Sequence, residues 1–204
     1  DGSGAARAAM EIAWEIKCDG DVAARTLRAT DARTAAFATS KSLRVVDSSR
    51  PPARRPEGTA RCGAPVTAIA AAPVEAAHAR MGGVIAGTGH PTNEAVWWRR
   101  GAGAGMEEVR RFRGHHFEIR AIASAPVGDL FATASLDKTC RLWRCREGAV
   151  PGPGAGVLEG HTESVNCVAF MPGGERIVTG SSDKTLRGWQ CATQRSLAVL
   201  RGSR

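Results

Sequence analysis

Two stretches of this chain carry the same markers in the same register. They read GHHFEIRAIASAPVGDLFATASLDKTCRLW (residues 114–143) and GHTESVNCVAFMPGGERIVTGSSDKTLRGW (residues 160–189). In each stretch an Asp follows the His of the opening Gly-His by 22 residues, and a Trp follows that Asp by 6 residues. The two stretches lie 46 residues apart, a spacing that indicates a structural repeat whose units pack against one another.

Short strands separated by turns are predicted within and around both stretches. The second stretch predicts strands over 165–170, 176–180 and 186–189, and a fourth strand follows over 196–200. The first predicts strands over 119–125, 130–135 and 139–143. Gly, Pro and Ser-x-Asp-Lys-Thr turns separate these runs, and the pattern is typical of an all-β fold.

Two weaker copies precede the clear ones. Comparable hydroxyl residues at Ser40, Thr88, Ser135 and Ser181 are spaced 48, 47 and 46 residues apart. Strands are predicted over 35–40, 42–47, 66–72, 84–88 and 95–98. Cys62 stands where a His is expected, and residues 48–63 predict at most a poor fourth strand, because they are rich in Pro and Arg.

The repeated pattern resembles the WD40 repeat, whose Gly-His start and Trp-Asp end frame the four strands of a β-propeller blade. The resemblance implies about four blades, over residues 18–61, 62–113, 114–159 and 160–202. Residues 11–17 predict the outer strand of a preceding blade. Because both ends then carry an outer strand, we expect part of a larger ring, with a closed four-bladed ring as the alternative.

The recurring Ser, His and Asp invite a hydrolase interpretation, but a catalytic triad would not recur with a Trp in phase. The resemblance implies instead a buried hydrogen-bonded network in each blade, bridged by the Ser. The expected sets are His115, Ser135, Asp137 and Trp143, and His161, Ser181, Asp183 and Trp189. We therefore expect no catalytic residue, and we expect neither a metal site nor a cofactor, since no phosphate-binding or dinucleotide motif is present.

The function that the resemblance implies is a non-catalytic scaffold for protein–protein interactions within a larger assembly. The family's usual partner-binding positions flank the first apolar residue of the inner strand and precede the turn Asp. In this sequence they are Arg25, Thr67, Glu118, Arg120, Leu136, Ser164, Asn166 and Ser182.

The net charge of +8 raises a second hypothesis. Because alternate loops of a blade emerge on alternate sides, the loops between third and fourth strands should form one basic face. That face would carry Arg50, Arg54, Arg55, Arg99, Arg100, Arg144 and Arg146. It could bind an acidic protein, or contact RNA phosphates in a ribonucleoprotein. A merely solvated surface is the plainer interpretation, and catalysis by a fused domain is a third hypothesis.

The cysteines and the hydropathy of the chain indicate the cellular compartment to be expected for the protein. The six cysteines form no C-x-x-C pair and lie at no zinc-like spacing from a His, so a reducing compartment is expected. No apolar run approaches the roughly 18 residues of a membrane span. We therefore expect no membrane insertion and an intracellular protein, cytoplasmic or nuclear.

Overall fold

The computed structural model describes residues 27–29, 34–38, 42–47, 57–73, 83–101, 105–145 and 155–202. All regular secondary structure within these ranges is β-strand, which confirms the all-β expectation. The outer strand predicted over 11–17 lies outside the described residues.

Four antiparallel sheets of four strands each make up the described fold. The first sheet contains β1 (Leu27–Ala29), β2 (Thr34–Ala38), β3 (Ser42–Asp47) and β4 (Glu57–Arg61). The second contains β5 (Val66–Ala71), β6 (Val84–Thr88), β7 (Ala95–Arg100) and β8 (Met106–Phe112). The third contains β9 (Ile119–Ser124), β10 (Leu130–Ser135), β11 (Cys140–Arg144) and β12 (Gly156–Leu158). The fourth contains β13 (Val165–Phe170), β14 (Arg176–Ser181), β15 (Thr185–Gln190) and β16 (Ser196–Arg201). Strands pair in chain order, as in propeller blades.

The Ser-x-Asp-Lys-Thr turns owe their shape to a residue in the left-handed region. Lys138 has φ 71° and Lys184 has φ 66°, and each donates its backbone N–H to the carbonyl of the Ser that opens the turn. A non-glycine residue in this region costs energy that surrounding contacts must offset. The Asp of each turn supplies such contacts, because its carboxylate accepts a hydrogen bond from the backbone N–H of the Thr that closes the turn.

The predicted strands agree with the structure, apart from one strand that was predicted only weakly and three that were not predicted. Residues 57–61 form a full strand, β4, whose Glu57–Arg61 register pairs residue by residue with β3. The prediction of a poor fourth strand there was wrong, because pairing with a neighbouring strand overrode weak local propensity. The strands β1, β8 and β12 had no counterpart in the sequence prediction.

Apolar side chains fill the spaces between consecutive sheets. Between the second and third sheets, Trp97, Phe112, Phe131 and Trp143 belong to one buried cluster. The Phe112 and Phe131 rings meet edge-on, with centroids 4.8 Å apart and an interplanar angle of 80°. Equivalent clusters join the first sheet to the second and the third to the fourth. The middle sheets therefore bury both faces, which is why their strands contain continuous apolar runs.

One face of the fourth sheet differs from its equivalent in the third. In the third sheet Cys140 and Leu158 pair across strands and lie under the fourth sheet, each 1% exposed. Leu186 and Leu200 pair in the same way in the fourth sheet but are 47% and 64% exposed. An open depression of about 390 Å³ lies on this face.

Candidate functional site

A chain of hydrogen bonds runs through the interior of the third sheet. The Asp137 carboxylate lies 2.6 Å from His115 Nδ1, and His115 Nε2 lies 2.7 Å from Thr133 Oγ1. The indole nitrogen of Trp143 donates to the same Thr133 oxygen at 2.8 Å. An ionised carboxylate only accepts and an indole only donates, so a neutral imidazole protonated at Nδ1 gives every proton an acceptor. Four buried polar groups are thereby satisfied together.

The Asp137 carboxylate also organises the turn that contains it. It accepts hydrogen bonds from the backbone N–H and the hydroxyl of Thr139, and from the backbone N–H of His116. Burial alone would raise the pKa of this carboxyl, but the bonds from His115 and Thr139 outweigh burial and hold its pKa well below the usual range. The network thus joins the turn before β9 to both strands of the β10–β11 hairpin.

The fourth sheet repeats this arrangement. His161 lies 2.8 Å from both Asp183 Oδ2 and Thr179 Oγ1, and Trp189 donates to Thr179 at 2.9 Å. Burial again opposes ionisation of Asp183, while bonds from Thr185 and His161 lower the pKa of its carboxyl. Equal geometry in two sheets indicates that the network belongs to the repeat.

The bridging hydroxyl is a threonine, and the assignment of Ser135 and Ser181 to that position was wrong. Ser135 lies two residues further along β10, where its hydroxyl donates to Phe117 O at 2.9 Å and accepts from Asp137 N. Ser181 bonds the Glu163 carbonyl in the same way at 3.0 Å. Because alternate residues of a strand share a face, the serine lies on the same side as the threonine but at the end of the strand.

The second sheet lacks the network. Cys62 occupies the position of the His, and Ala86 occupies that of the bridging Thr. Among the described residues, no atom accepts a hydrogen bond from the Trp98 indole nitrogen, although Trp98 is only 7% exposed. Burial raises the pKa of the Cys62 thiol to about 11, which leaves it a neutral, apolar filler.

An ion-pair cluster holds the turn of the second sheet instead. The Glu94 carboxylate is 5% exposed and lies 2.5 Å from Arg111 Nη1 and 3.0 Å from Arg113 Nε. Arg111 also contacts Glu108 at 2.6 Å, and the Glu94 backbone N–H donates to the Thr88 hydroxyl. This cluster fastens the β6–β7 turn to β8.

The buried networks are unsuited to catalysis. The hydroxyl that contacts His115 belongs to Thr133, which is fully buried, and the His115 side chain is 1% exposed. A substrate therefore cannot reach a hydroxyl–imidazole pair at this position. Within the described ranges, no group of three or more His, Cys, Asp or Glu side chains could hold a metal ion.

Comparison with protein families identifies the repeats. Residues 106–144 and 154–190 match the family model described as WD domain, G-beta repeat. The chain contains WD40 repeats. WD40 repeats in general act as scaffolds for protein–protein interactions and are typically non-catalytic. The described part of the chain contains no helix long and apolar enough to cross a membrane.

The first WD40 repeat brings its three expected partner-binding residues together at one end of the third sheet. The backbone N–H of Leu136 donates to the Glu118 carbonyl at 3.0 Å, and Arg120 Nη1 lies 3.3 Å from Glu118 Oε1. Arg120 is 44% exposed and Glu118 29% exposed. These residues present a charged pair beside a half-buried aliphatic side chain.

The second WD40 repeat forms the equivalent group with neutral side chains. Ser182 N–H donates to the Ser164 carbonyl at 2.9 Å, and Asn166 Nδ2 donates to Ser182 Oγ at 2.8 Å. Thr67 differs from these residues, since its hydroxyl contacts the Gly87 carbonyl at 3.2 Å and is half-buried. Arg25 lies outside the described residues.

The predicted basic face is only partly described. Arg99 and Arg100 end β7, and Arg144 ends β11, so they belong to strands rather than to the loops in which the sequence placed them. Arg99 Nε lies 3.4 Å from Glu107, and Arg144 Nη1 lies 2.8 Å from Asp129. The remaining members lie outside the described residues: Arg50, Arg54, Arg55 and Arg146.

Proposed function

We propose that this chain is a non-catalytic scaffold that binds partner proteins at the ends of its sheets where the network turns lie. The observation that carries the proposal is a pair of equivalent groups in the two WD40 repeats: Glu118, Arg120 and Leu136, and Ser164, Asn166 and Ser182. The same backbone hydrogen bond holds each group, yet their side chains differ in charge and polarity. A constant frame with variable exposed side chains suits recognition rather than chemistry.

The buried networks support this proposal because they fix the turns that carry the candidate binding residues. Asp137 and Asp183 each accept bonds from both the turn before the inner strand and the turn between the second and third strands. A surface already ordered before binding loses less conformational entropy when a partner docks. The rigidity of the turns therefore favours affinity as well as stability.

The alternative of RNA contact through basic loops draws less support. Arg99 and Arg144 both have a carboxylate partner, Glu107 and Asp129 respectively. A paired guanidinium contributes less to the attraction of phosphates, since its field is partly cancelled. Protein partners remain the better proposal.

Partner capture with matched surface variants tests the proposal. We expect Arg120→Ala combined with Asn166→Ala to reduce recovery of cross-linked protein partners from cells, as quantified by mass spectrometry. The control combines Val127→Ser with Met171→Ser, two exposed changes in turns at the other end of the sheets. Equal recovery of the same partners by the wild type and the Arg120/Asn166 variant, with unchanged melting temperature, would contradict the proposal.

A further inference from the structure

One row of residues lies open on the fourth sheet, although its equivalents in the other sheets are covered. The row crosses all four strands at paired register positions and consists of Cys167, Gly180, Leu186 and Leu200. The equivalent row of the second sheet consists of Ala68, Gly87, Ala95 and Phe112, all of which are buried. Leu200, by contrast, is 64% exposed. The open row is therefore a packing surface without a partner in the described part of the chain.

Two aliphatic side chains of the next inner strand cover such a row. A Cβ atom on Gly87 would lie 2.8 Å from Ile119 Cγ2 and 3.0 Å from Ile122 Cδ1. The two isoleucines are three positions apart but share a face, because β9 has one extra residue between them relative to its partner strand β10. The same spacing and irregularity recur in β5 and β13, with the pairs Val66 and Ile69, and Val165 and Val168. Members of both pairs lie in or against the buried clusters that join consecutive sheets.

An acidic residue precedes the aliphatic pair of β9. Glu118 lies directly before Ile119, and a Cβ atom on Gly89 would lie 3.3 Å from Glu118 Oε2. Gly89 begins the turn that follows β6 in the second sheet. The carboxylate of a covering strand thus reaches the turn between the second and third strands of the sheet that it covers.

Two cations stand at the corresponding end of the fourth sheet. Lys184 and Arg201 line the open depression together with Leu186 and Leu200, and none of the described residues that line it has a carboxylate. Among the described residues, neither cation has an ion-pair partner. A second copy of this chain that docked through the same face would bring like charges together, which is unfavourable. The surface therefore favours an occupant that supplies a carboxylate beside aliphatic side chains.

We propose that the open face of the fourth sheet docks a β-sheet of a partner protein, whose first strand carries an acidic residue followed directly by two aliphatic residues three positions apart. The proposal rests on the protein-binding function proposed above and adds the chemistry of one partner. The aliphatic pair covers Leu186 and Leu200, and the acidic residue meets Lys184 and Arg201. The site adjoins the candidate binding residue Asn166, which also lines the depression.

A tethered sheet of known sequence tests this docking on the whole protein. Arg201 and Gly202 repeat the Arg-Gly pair that precedes His115, so residues 1–202 can be followed directly by a second copy of residues 115–158. The readout is Cys167, an exposed thiol in the depression. We expect its alkylation by iodoacetamide to be roughly tenfold slower in the fused protein than in the chain alone. The matched control carries Ile119→Ser and Ile122→Ser in the appended copy only, and its Cys167 should react as in the chain alone.

Carbodiimide cross-linking in cells tests the natural occupant, because this reagent joins an amine only to a carboxylate in contact with it. We expect Lys184 to be linked to peptides in which Asp or Glu directly precedes two aliphatic residues three positions apart. Leu200→Glu should lower the yield of these links roughly tenfold. Val127→Glu is the matched control and should leave the yield unchanged, since Val127 is 69% exposed in a turn of the third sheet far from this face.

Four results would overturn the site. The first is unchanged alkylation of Cys167 in the fused protein. The second is equal protection by the serine-substituted copy, since the tether alone would then be the cause. The third is protection of Cys167 in the unfused chain that grows with protein concentration, which would assign the face to a second copy. The fourth is linkage of Lys184 only to peptides without the expected pattern, or to none. If any of these occurs while the Arg120/Asn166 variant still loses its partners, this inference fails and the proposed scaffold function stands.

Discussion

Replacing Thr133 with Val tests which hydroxyl bridges the network. The substitution preserves side-chain shape but removes the oxygen that contacts His115 Nε2 at 2.7 Å and Trp143 Nε1 at 2.8 Å. Each stranded buried group costs about 1–3 kcal/mol, and the added methyl group returns about 0.8 kcal/mol. We therefore expect Thr133→Val to lower the free energy of unfolding by about 1–5 kcal/mol.

The variant Ser135→Ala is the comparison that distinguishes the two hydroxyls. Ser135 is buried as well, but its hydroxyl bonds Phe117 O and Asp137 N, which belong to an exposed and a half-buried residue, so its loss should cost only about 1 kcal/mol. Urea denaturation followed by tryptophan fluorescence measures both variants against the wild type. If Ser135→Ala is as costly as Thr133→Val, the bridging role assigned to Thr133 is wrong.

Four further predictions concern pH, glycine, the ion-pair cluster and the thiols. The free energy of unfolding should fall as the pH drops below about 4, because the pKa of Asp137 is lower in the folded protein than in the unfolded chain, which therefore binds protons more readily. Asp137→Asn should reduce this dependence on pH in urea titrations at several pH values. Gly114→Ala should destabilise by roughly 1–3 kcal/mol in thermal melts, since its Cβ would lie 2.8 Å from a guanidinium nitrogen at φ +153°, whereas Gly173→Ala meets open space and should be neutral. Glu94→Gln should destabilise by about 1 kcal/mol at low salt and less at high salt, as denaturation at two ionic strengths would reveal. Cys167, the exposed thiol among the described cysteines, should react with iodoacetamide well before the buried ones in a mass-spectrometric time course.

The repeat markers predicted most of the strands because they report local turn chemistry. The Ser-x-Asp-Lys-Thr turns located β10, β11, β14 and β15 to within about two residues. The strand β4 was predicted only as a poor strand, because its surroundings are rich in Pro and Arg and pairing with β3 is what makes the segment extended. Local composition carries no record of such tertiary pairing.

The candidate site was predicted unevenly for a related reason. The bridging role was given to Ser135, although Thr133 and Thr179 are also 46 residues apart and equally in phase. Two hydroxyl residues on one face of a strand cannot be distinguished in the sequence. In the structure they differ in position, because Thr133 lies within β10 and Ser135 lies at its end.

The second sheet lacks the buried network, and this difference affects the order in which the sheets unfold. Cys62 and Ala86 leave the Trp98 indole without a hydrogen-bond acceptor among the described residues. The second sheet therefore loses fewer stabilising hydrogen bonds on local unfolding than the third and fourth sheets do. In proteins built from stacked units, local opening follows the weakest unit and its interfaces. Amide hydrogens of β6 should therefore exchange with solvent sooner than those of β10 and β14. Unravelling would begin among the first two sheets and leave the WD40 pair as the last cooperative unit.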